Sequence, residues 1–376
     1  MSKRATLIKP PKALPHYSPI ESVLSLLPLT DIGPDIFTNQ RPLWHPPGAR
    51  GIFGGAAIAQ CLSAAQATIP PDFTVHSMHC YFVLAGDSSI PILYHVERVR
   101  DGRSFITRTV QARQRGRPIF TTTLSFVREN SGGEKTVEHF VPMPTNISPP
   151  PPEGSRELVP SQSTSRKDDD DDDDAQEVPF DQIRLPITIR GEPHIKKGYA
   201  WIRARGRISD SPPGHSTTFG SQHTDNHQAH LSALAYMSDS YFIGTVARVH
   251  GIPRISNPKN IERLLDAFAG NAEEKQEMRE YLERIAAEDA KELALTGIAD
   301  DDRRISMMVS LDHTIYFHNP RSFRADEWML AEVQSPWAGD GRGLVMQQIW
   351  SKDGILIASC IQEGVVRLDQ SRQNKM

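Results

Sequence analysis

With 376 residues and 38% hydrophobic composition, the chain is long enough for two domains of ordinary size, each with its own core. Lysine plus arginine (42) nearly balance aspartate plus glutamate (46), and the formal net charge of −4 offers no broad basic field, so neither nucleic acid nor an anionic membrane surface is an expected partner. Cys61, Cys80 and Cys360 are odd in number, lie in or beside apolar runs and show no CxxC spacing, which predicts buried thiols in a reducing compartment and excludes a disulfide framework or a cysteine zinc site.

Residues 1–17 are basic and broken by Pro10, Pro11 and Pro15, without the apolar core of a secretory signal. Along the rest of the chain no run of about 18 apolar residues occurs, so no membrane-spanning helix is expected. A first domain is expected over residues 1–129. Within it Gly54-Gly55 precede a helical stretch whose Ile58, Cys61, Leu62 and Ala65 follow the i, i+3, i+4, i+7 pattern. A strand carrying Tyr81-Phe82 follows, then strands over 92–96 and 105–111, a turn at Gly116 and a β-rich run over 118–127.

At about residue 130 the composition changes. Four prolines stand at 149–152 and seven consecutive aspartates at 168–174. Such a segment buries too little apolar surface to offset its ordering entropy, so residues 130–198 are expected to be a disordered acidic and proline-rich linker. Seven adjacent like charges impose no coordination geometry, which makes a solvated spacer the expectation over a calcium site.

The second domain, expected over 199–376, repeats the plan of the first. Leu231, Leu234, Ala235 and Ser238 form a helical stripe; Tyr316-Phe317 follow; strands are expected over 329–333 and 344–350; Asp353-Gly354 make the turn; and 355–360 lead into Val365-Val366. The Tyr-Phe pair precedes the turn glycine by 35 residues in the first half and 38 in the second, the mark of an internal repeat. Residues 257–302 interrupt this second copy. Ile261, Leu264, Leu265, Phe268, Met278, Leu282 and Ile285 fall there at helical spacing among charges, predicting one or two amphipathic helices packed on their own domain. A helix followed by an antiparallel meander buries one against the other, giving an α+β class with two such units paired.

Several chemistries are excluded by missing motifs. No G-x-S-x-G elbow occurs, and Gly214-His215-Ser216-Thr217-Thr218 lacks the closing glycine; no phosphate-cradling G-x-x-x-x-G-K-[ST] or G-x-G-x-x-G is present either. His223, His227 and His230 share i, i+4, i+7 spacing around Asp225, a metal-ligand arrangement in principle. Just ahead of an apolar helix, such a cluster is expected to cap and solvate the helix start, with no metal. His76 and His79 are expected to be one packed and one hydrogen-bonded strand side chain, outside any catalytic set.

A specific resemblance then emerges. The stretches Gly48-Ala49-Arg50-Gly51-Ile52-Phe53-Gly54-Gly55, His76-Ser77-Met78-His79-Cys80-Tyr81-Phe82, Gly86-Asp87 and Arg98-Val99-Arg100-Asp101-Gly102-Arg103-Ser104-Phe105 resemble the acyl-CoA thioesterase II family. So do Leu234-Ala235-Tyr236-Met237-Ser238-Asp239, Ser310-Leu311-Asp312-His313 with Phe317-His318, Glu327-Trp328-Met329-Leu330, and Asp353-Gly354 with Gln362-Glu363-Gly364. The resemblance implies a tandem double hotdog, two long helices each packed against an antiparallel sheet. It also implies hydrolysis of acyl-CoA to free fatty acid and coenzyme A without a resident cofactor.

By the same resemblance Asp239, Ser310 and Gln362 are the expected catalytic set, with Asp239 as general base for a water that Ser310 and Gln362 fix. Where the family has Gln after the Gly-Gly pair, this chain has Ala56-Ala57, with Gln60 further on, and the first half is accordingly expected to be structural. Arg50, Arg103 and Arg342, charges beside matched motifs, are the expected contacts for the coenzyme's phosphates. A catalytically silent acyl-CoA binder or assembly module, and a hotdog enoyl-thioester hydratase, stand as alternatives. Hotdog sheets expose surface and edges, so homo-oligomers are expected. The tail Asn374-Lys375-Met376 keeps the basic-then-large-apolar order of a peroxisomal address, with Asn in place of a small residue. A peroxisomal or cytoplasmic location is expected on that basis.

Overall fold

The computed structural model describes residues 17–46, 49–152, 178–187, 191–210, 226–240, 242–253, 258–268, 271–296 and 303–370. The first half contains α1 (Pro19–Leu24), β1 (Leu26–Pro28), β2 (Ile36–Asn39), α2 (Gly54–Gln66), β3 (Phe73–Phe82), β4 (Leu93–Asp101), β5 (Phe105–Gln114) and β6 (Arg117–Arg128). The second contains β7 (Phe180–Leu185), β8 (Lys197–Ala204), α3 (His227–Ser238), α4 (Gly244–Val249), α5 (Pro258–Ala267), α6 (Ala272–Thr296), β9 (Ile305–Ser310), β10 (Asp312–Phe317), β11 (Met329–Gly339), β12 (Arg342–Trp350) and β13 (Leu356–Leu368).

All strands join one antiparallel sheet in the order β1-β2-β4-β5-β6-β3-β10-β13-β12-β11-β8-β7, with β9 also on β13. The order reads as a mirror about the β3–β10 seam. The helix, its following strand and the three-strand meander of one half reappear in reverse beyond it: the repeat predicts two such units paired, and the resemblance implies the double hotdog they form. At the seam Asp312 pairs Tyr81 and Tyr316 pairs Ser77, so the two Tyr-Phe motifs occupy equivalent places. In the β5–β6 hairpin, Arg115 and Gly116 take φ of 50° and 73°. Two left-handed residues in succession match the twist of the flanking strands, and this is why a glycine stands at that turn.

The two central helices lie inside the sheet's curve. Along α2 every residue from Gly55 to Gln66 except Ser63 is buried, and along α3 so is every residue from His230 to Ser238. A helix apolar on all sides needs cover on all sides, which the sheet and the partner helix provide. Cys61, Cys80 and Cys360 are all buried free thiols.

The stretch expected as a structureless linker contains more order than its composition suggests. Residues 178–187 include β7, which pairs β8 from Phe180↔Ala204 to Leu185↔Tyr199. Upstream, the chain crosses the second half, where the indole N–H of Trp350 donates to Val141 O and that of Trp201 to Ser148 O, each at 2.8 Å. Buried indoles need acceptors, and the proline-rich backbone, poor in its own donors, supplies carbonyls. The aspartate run lies outside the described residues. In the insertion, α5 and α6 bury Ile261, Leu265, Met278, Leu282 and Ile285 against each other as a separate apolar cluster. Arg248 on α4 holds this hairpin through Glu292, 2.8 Å away, and Arg184 on β7 does so through Glu288.

Candidate active site

Asp239 caps the C-terminal end of α3, and Gly54-Gly55 begin α2. The two helices pack so closely that a Cβ on Gly55 would collide with Tyr236 O and the ring of Phe53, while one on Gly54 would stand 2.6 Å from Asp239 Oδ2 and 2.7 Å from Phe82 Cε1. Both glycines are therefore required by close approach, and the Gly55 backbone N–H donates to the Asp239 carboxylate. The first half thus supplies a donor and a wall of the site. Its expected purely structural role is too narrow, although Gln60 fits it: this side chain donates to Val23 O at 2.6 Å and accepts from the Tyr94 hydroxyl, both away from Asp239.

On the sheet side, Gln362 of β13 is fully buried, and its Nε2 donates to Asp239 Oδ1 at 2.7 Å. That nitrogen also approaches His313 Nδ1 at 3.1 Å, and His313 Nε2 lies 3.0 Å from Ser238 Oγ, which donates to Ala235 O at 2.9 Å. The Ala235 carbonyl can only accept, so the Ser238 hydrogen points to it and Ser238 Oγ accepts from His313 Nε2–H. His313 Nδ1 is then the acceptor for Gln362. The amide's oxygen, Gln362 Oε1, is buried with no protein partner among the described residues.

Electrostatics follow from this enclosure. Asp239 keeps a little surface but is ringed by protein, and burial pushes its pKa up to about 7, against the opposing hydrogen bonds from Gln362 and Gly55. Its place at the C-terminal end of its own helix disfavours negative charge further, while the N-terminal end of α2 favours it. Burial lowers the pKa of His313 to about 3, which keeps the imidazole neutral. A carboxylate that ionises near pH 7, bonded to an amide whose oxygen is unpaired, can accept a proton from water.

Of the expected catalytic set, Asp239 and Gln362 are directly bonded. Ser310 ends β9 opposite Gly364, two positions from Gln362 on the same face of β13, and makes no hydrogen bond to Asp239 or Gln362 among the described residues. Arg50 is exposed in the loop that enters α2. Arg342 is exposed near the β13 end of the site, ion-paired with Glu363 at 2.9 Å and over the Trp337 ring. Arg103 does not join them. It sits at the β4–β5 turn, in the hairpin whose Arg108 binds Thr68 just past the C-terminal end of α2, about 20 Å along the helix from Gly54. His76 bonds Ser125 at 2.8 Å and His79 bonds Thr314 at 3.3 Å, side-chain contacts within the sheet. His223 lies outside the described residues; His227 meets Thr74, and His230 accepts the Ala325 N–H.

Two halves of mirrored strand order, with the Asp239–Gln362 carboxylate–amide pair buried where their central helices meet, define a tandem double-hotdog protein. Residues 41–127 match the family model of the acyl-CoA thioesterase N-terminal domain, and residues 160–366 that of the acyl-CoA thioesterase C-terminal domain. Acyl-coenzyme A thioesterase 8 of Mus musculus is 33% identical over 360 residues, 93% of this chain and 89% of the relative. Peroxisomal acyl-coenzyme A thioester hydrolase 1 of Saccharomyces cerevisiae is 35% identical over 127 residues, 34% of this chain and 36% of the relative. Among solved structures, the acyl-CoA thioesterase II TesB2 from Mycobacterium marinum has a TM-score of 0.59 at 27% identity, covering 94% of this chain and 99% of that one. The chain belongs to the acyl-CoA thioesterase family.

The glycine geometry separates two effects. Gly55→Ala drives a methyl into the Tyr236 carbonyl and is expected to lower stability by roughly 1–3 kcal/mol or more, read by thermal or chemical unfolding. Gly54→Ala presses on the Asp239 carboxylate and Phe82, so turnover should fall about 10-fold or more while the melting temperature changes less than in Gly55→Ala. Equal loss of stability in both variants, with turnover tracking stability alone, would contradict this division.

Proposed function

We propose that the protein hydrolyses acyl-CoA thioesters, with Asp239 as general base. The observation that carries this is the Asp239–Gln362 pair: a carboxylate whose pKa burial raises to about 7, bonded to the nitrogen of an amide whose buried oxygen has no protein partner among the described residues. Ionised Asp239 takes a proton from a water that Gln362 Oε1 and Ser310 orient, and the hydroxide attacks the thioester carbonyl carbon. The C–O bond forms as the carbonyl π electrons move to oxygen. The first turn of α2 supplies a positive field for that oxyanion. Collapse of the intermediate breaks the C–S bond, and the coenzyme A thiolate leaves and takes the proton held by Asp239, which returns to its ionised form, so no acyl-enzyme forms. Arg50 and Arg342, at the Asp239 end of the molecule, are better placed than Arg103 to meet the coenzyme's phosphates.

A silent binder would have no use for a carboxylate this costly to bury, and a hydratase needs a proton donor and acceptor across a double bond, which a neutral His313 hidden behind Gln362 does not provide. Membership of a peroxisomal pathway is a finer reading. It rests on Asn374-Lys375-Met376, outside the described residues, and on the name of the yeast relative.

The test is thiol release from short-, medium- and long-chain acyl-CoAs. In the wild type kcat/KM should rise with pH through about 7 and then level, because the base works only when ionised. Asp239→Asn should reduce turnover by about 100-fold or more and abolish that step. Stability should respond in the opposite sense. A carboxyl whose folded pKa lies above its unfolded value of 3.8 contributes fully below that value and loses this contribution as pH rises through the folded pKa. Asp239→Asn should therefore melt higher than wild type at pH 8, with the gap closing towards pH 4. No thiol release on any chain length, or release unchanged by the substitution, defeats the reading of function or of base respectively. For location, a fluorescent fusion that keeps the natural C-terminus should be punctate with a peroxisomal marker and become diffuse when the last three residues are removed.

A further inference from the structure

The strand orders of the two halves mirror each other, yet two buried positions that are apolar in the first half are polar in the second. Equating Tyr81-Phe82 with Tyr316-Phe317 makes Met78 the counterpart of His313. Met78 pairs Leu124 across β3–β6. In the second half Ile315 pairs Cys360, and two residues further along that register His313 faces Gln362. Equating the helical stripes makes Gln66 the counterpart of Asp239. All four strand side chains, Met78, Leu124, His313 and Gln362, are fully buried. The site half has thus replaced an apolar pair by a histidine–amide pair in the same packing slot. A buried imidazole is unfavourable unless both nitrogens are bonded, and here both are, to Ser238 and to Gln362. Neither nitrogen is directed at Asp239, and Phe242 packs edge-on to the ring at 5.4 Å, leaving His313 no contact with reacting atoms.

The hydrogen-bond directions along this chain are not free. Ala235 O fixes the Ser238 hydrogen, Ser238 fixes the Nε2–H tautomer, and the tautomer makes Nδ1 an acceptor. Without that acceptor the Gln362 amide could rotate by half a turn and present oxygen to an ionised carboxylate, a repulsive arrangement that would also withdraw Oε1 from its open position. We propose that His313 is a positioning residue: as the Nε2–H tautomer it accepts one amide hydrogen of Gln362, keeping the other on Asp239 and Oε1 turned to the reacting water. The role rests on the reading of Asp239 and Gln362 as the groups that hold and activate that water.

The experiment compares His313→Met, His313→Asn and His313→Gln with wild type, measuring kcat and KM on the best acyl-CoA of the chain-length panel together with thermal unfolding. Methionine is what the first half packs at this position, so His313→Met should fold, hold KM within about 2-fold and lose about 10- to 100-fold in kcat. Asparagine places its oxygen near the position of Nδ1, and His313→Asn should recover kcat to within about 5-fold of wild type. Glutamine reaches the position of Nε2 instead, leaving Gln362 without its acceptor, and should be as slow as the methionine variant. Full kcat in His313→Met, or Asn and Gln variants that behave alike, overturns the role. If His313→Met does not fold, the Asn and Gln comparison decides alone. Asp239→Asn and Gln362→Leu are measured alongside: full turnover in both removes the underlying site reading, whereas their inactivity beside an active His313→Met removes only the histidine.

Discussion

The structure depends on a carboxylate set between two helix ends. Asp239 finishes α3, where the unpaired carbonyls of its own helix repel negative charge, and meets the opening turn of α2, where backbone N–H groups attract it. That meeting requires two helices antiparallel and almost touching, which only glycine permits at 54 and 55. It also requires a fixed offset between the halves, and the β3–β10 seam provides it. Sheet pairing at Asp312↔Tyr81 and Tyr316↔Ser77 sets the register, and a slip of one residue would turn His313 out of the core.

Against this symmetric frame the side chains of the Asp239–Gln362–His313 cluster are one-sided. The first half gives a backbone donor and an aromatic wall, contributions that come from conformation and shape. The second gives Asp239, His313 and Gln362, contributions that come from side-chain identity. At the related positions of the first half Gln66 turns to the other helix, where its Oε1 accepts from Ser232, and Met78 and Leu124 fill core. One frame can therefore carry a polar site at one of its two equivalent places and apolar packing at the other, because the volumes of the paired side chains are similar.

Much of the frame was legible in the sequence. The helical stripes at Ile58–Ala65 and Leu231–Ser238, the Tyr-Phe strands and the Gly116 and Gly354 turns all depend on local periodicity, which a single chain displays. Asp239 and Gln362, by contrast, came from resemblance alone, since nothing in their neighbourhoods distinguishes them from a helix-end charge and a strand amide. Their proximity is a product of long-range pairing. The β7 strand was hidden because it is short and follows an acidic run, and the ordered crossing of 141–148 because its partners are indoles about 50 and 200 residues away. His313 was quoted within Ser310-Leu311-Asp312-His313 without a role. Aligning the two repeats residue by residue, and asking where polarity breaks the symmetry, is the signal that isolates it.

The polar chain also explains how so unfavourable a carboxylate can be held in one place. An unpaired buried polar atom costs about 1–3 kcal/mol, and a branched network of side chains could relieve that cost by turning in several ways. Here the path from Asp239 through Gln362, His313 and Ser238 ends on Ala235 O, a carbonyl immobilised in a helix buried on all sides, with Cys360 as a side contact of Ser238. With the Ser238 hydrogen on that carbonyl, the amide nitrogen of Gln362 faces both His313 and Asp239, and its Oε1 is the atom of this path left without a protein partner among the described residues. Orientation at the site is in this sense a property of the helix backbone, relayed through Ser238, His313 and Gln362, and the burial that raises the pKa of Asp239 is the same burial that keeps the relay rigid.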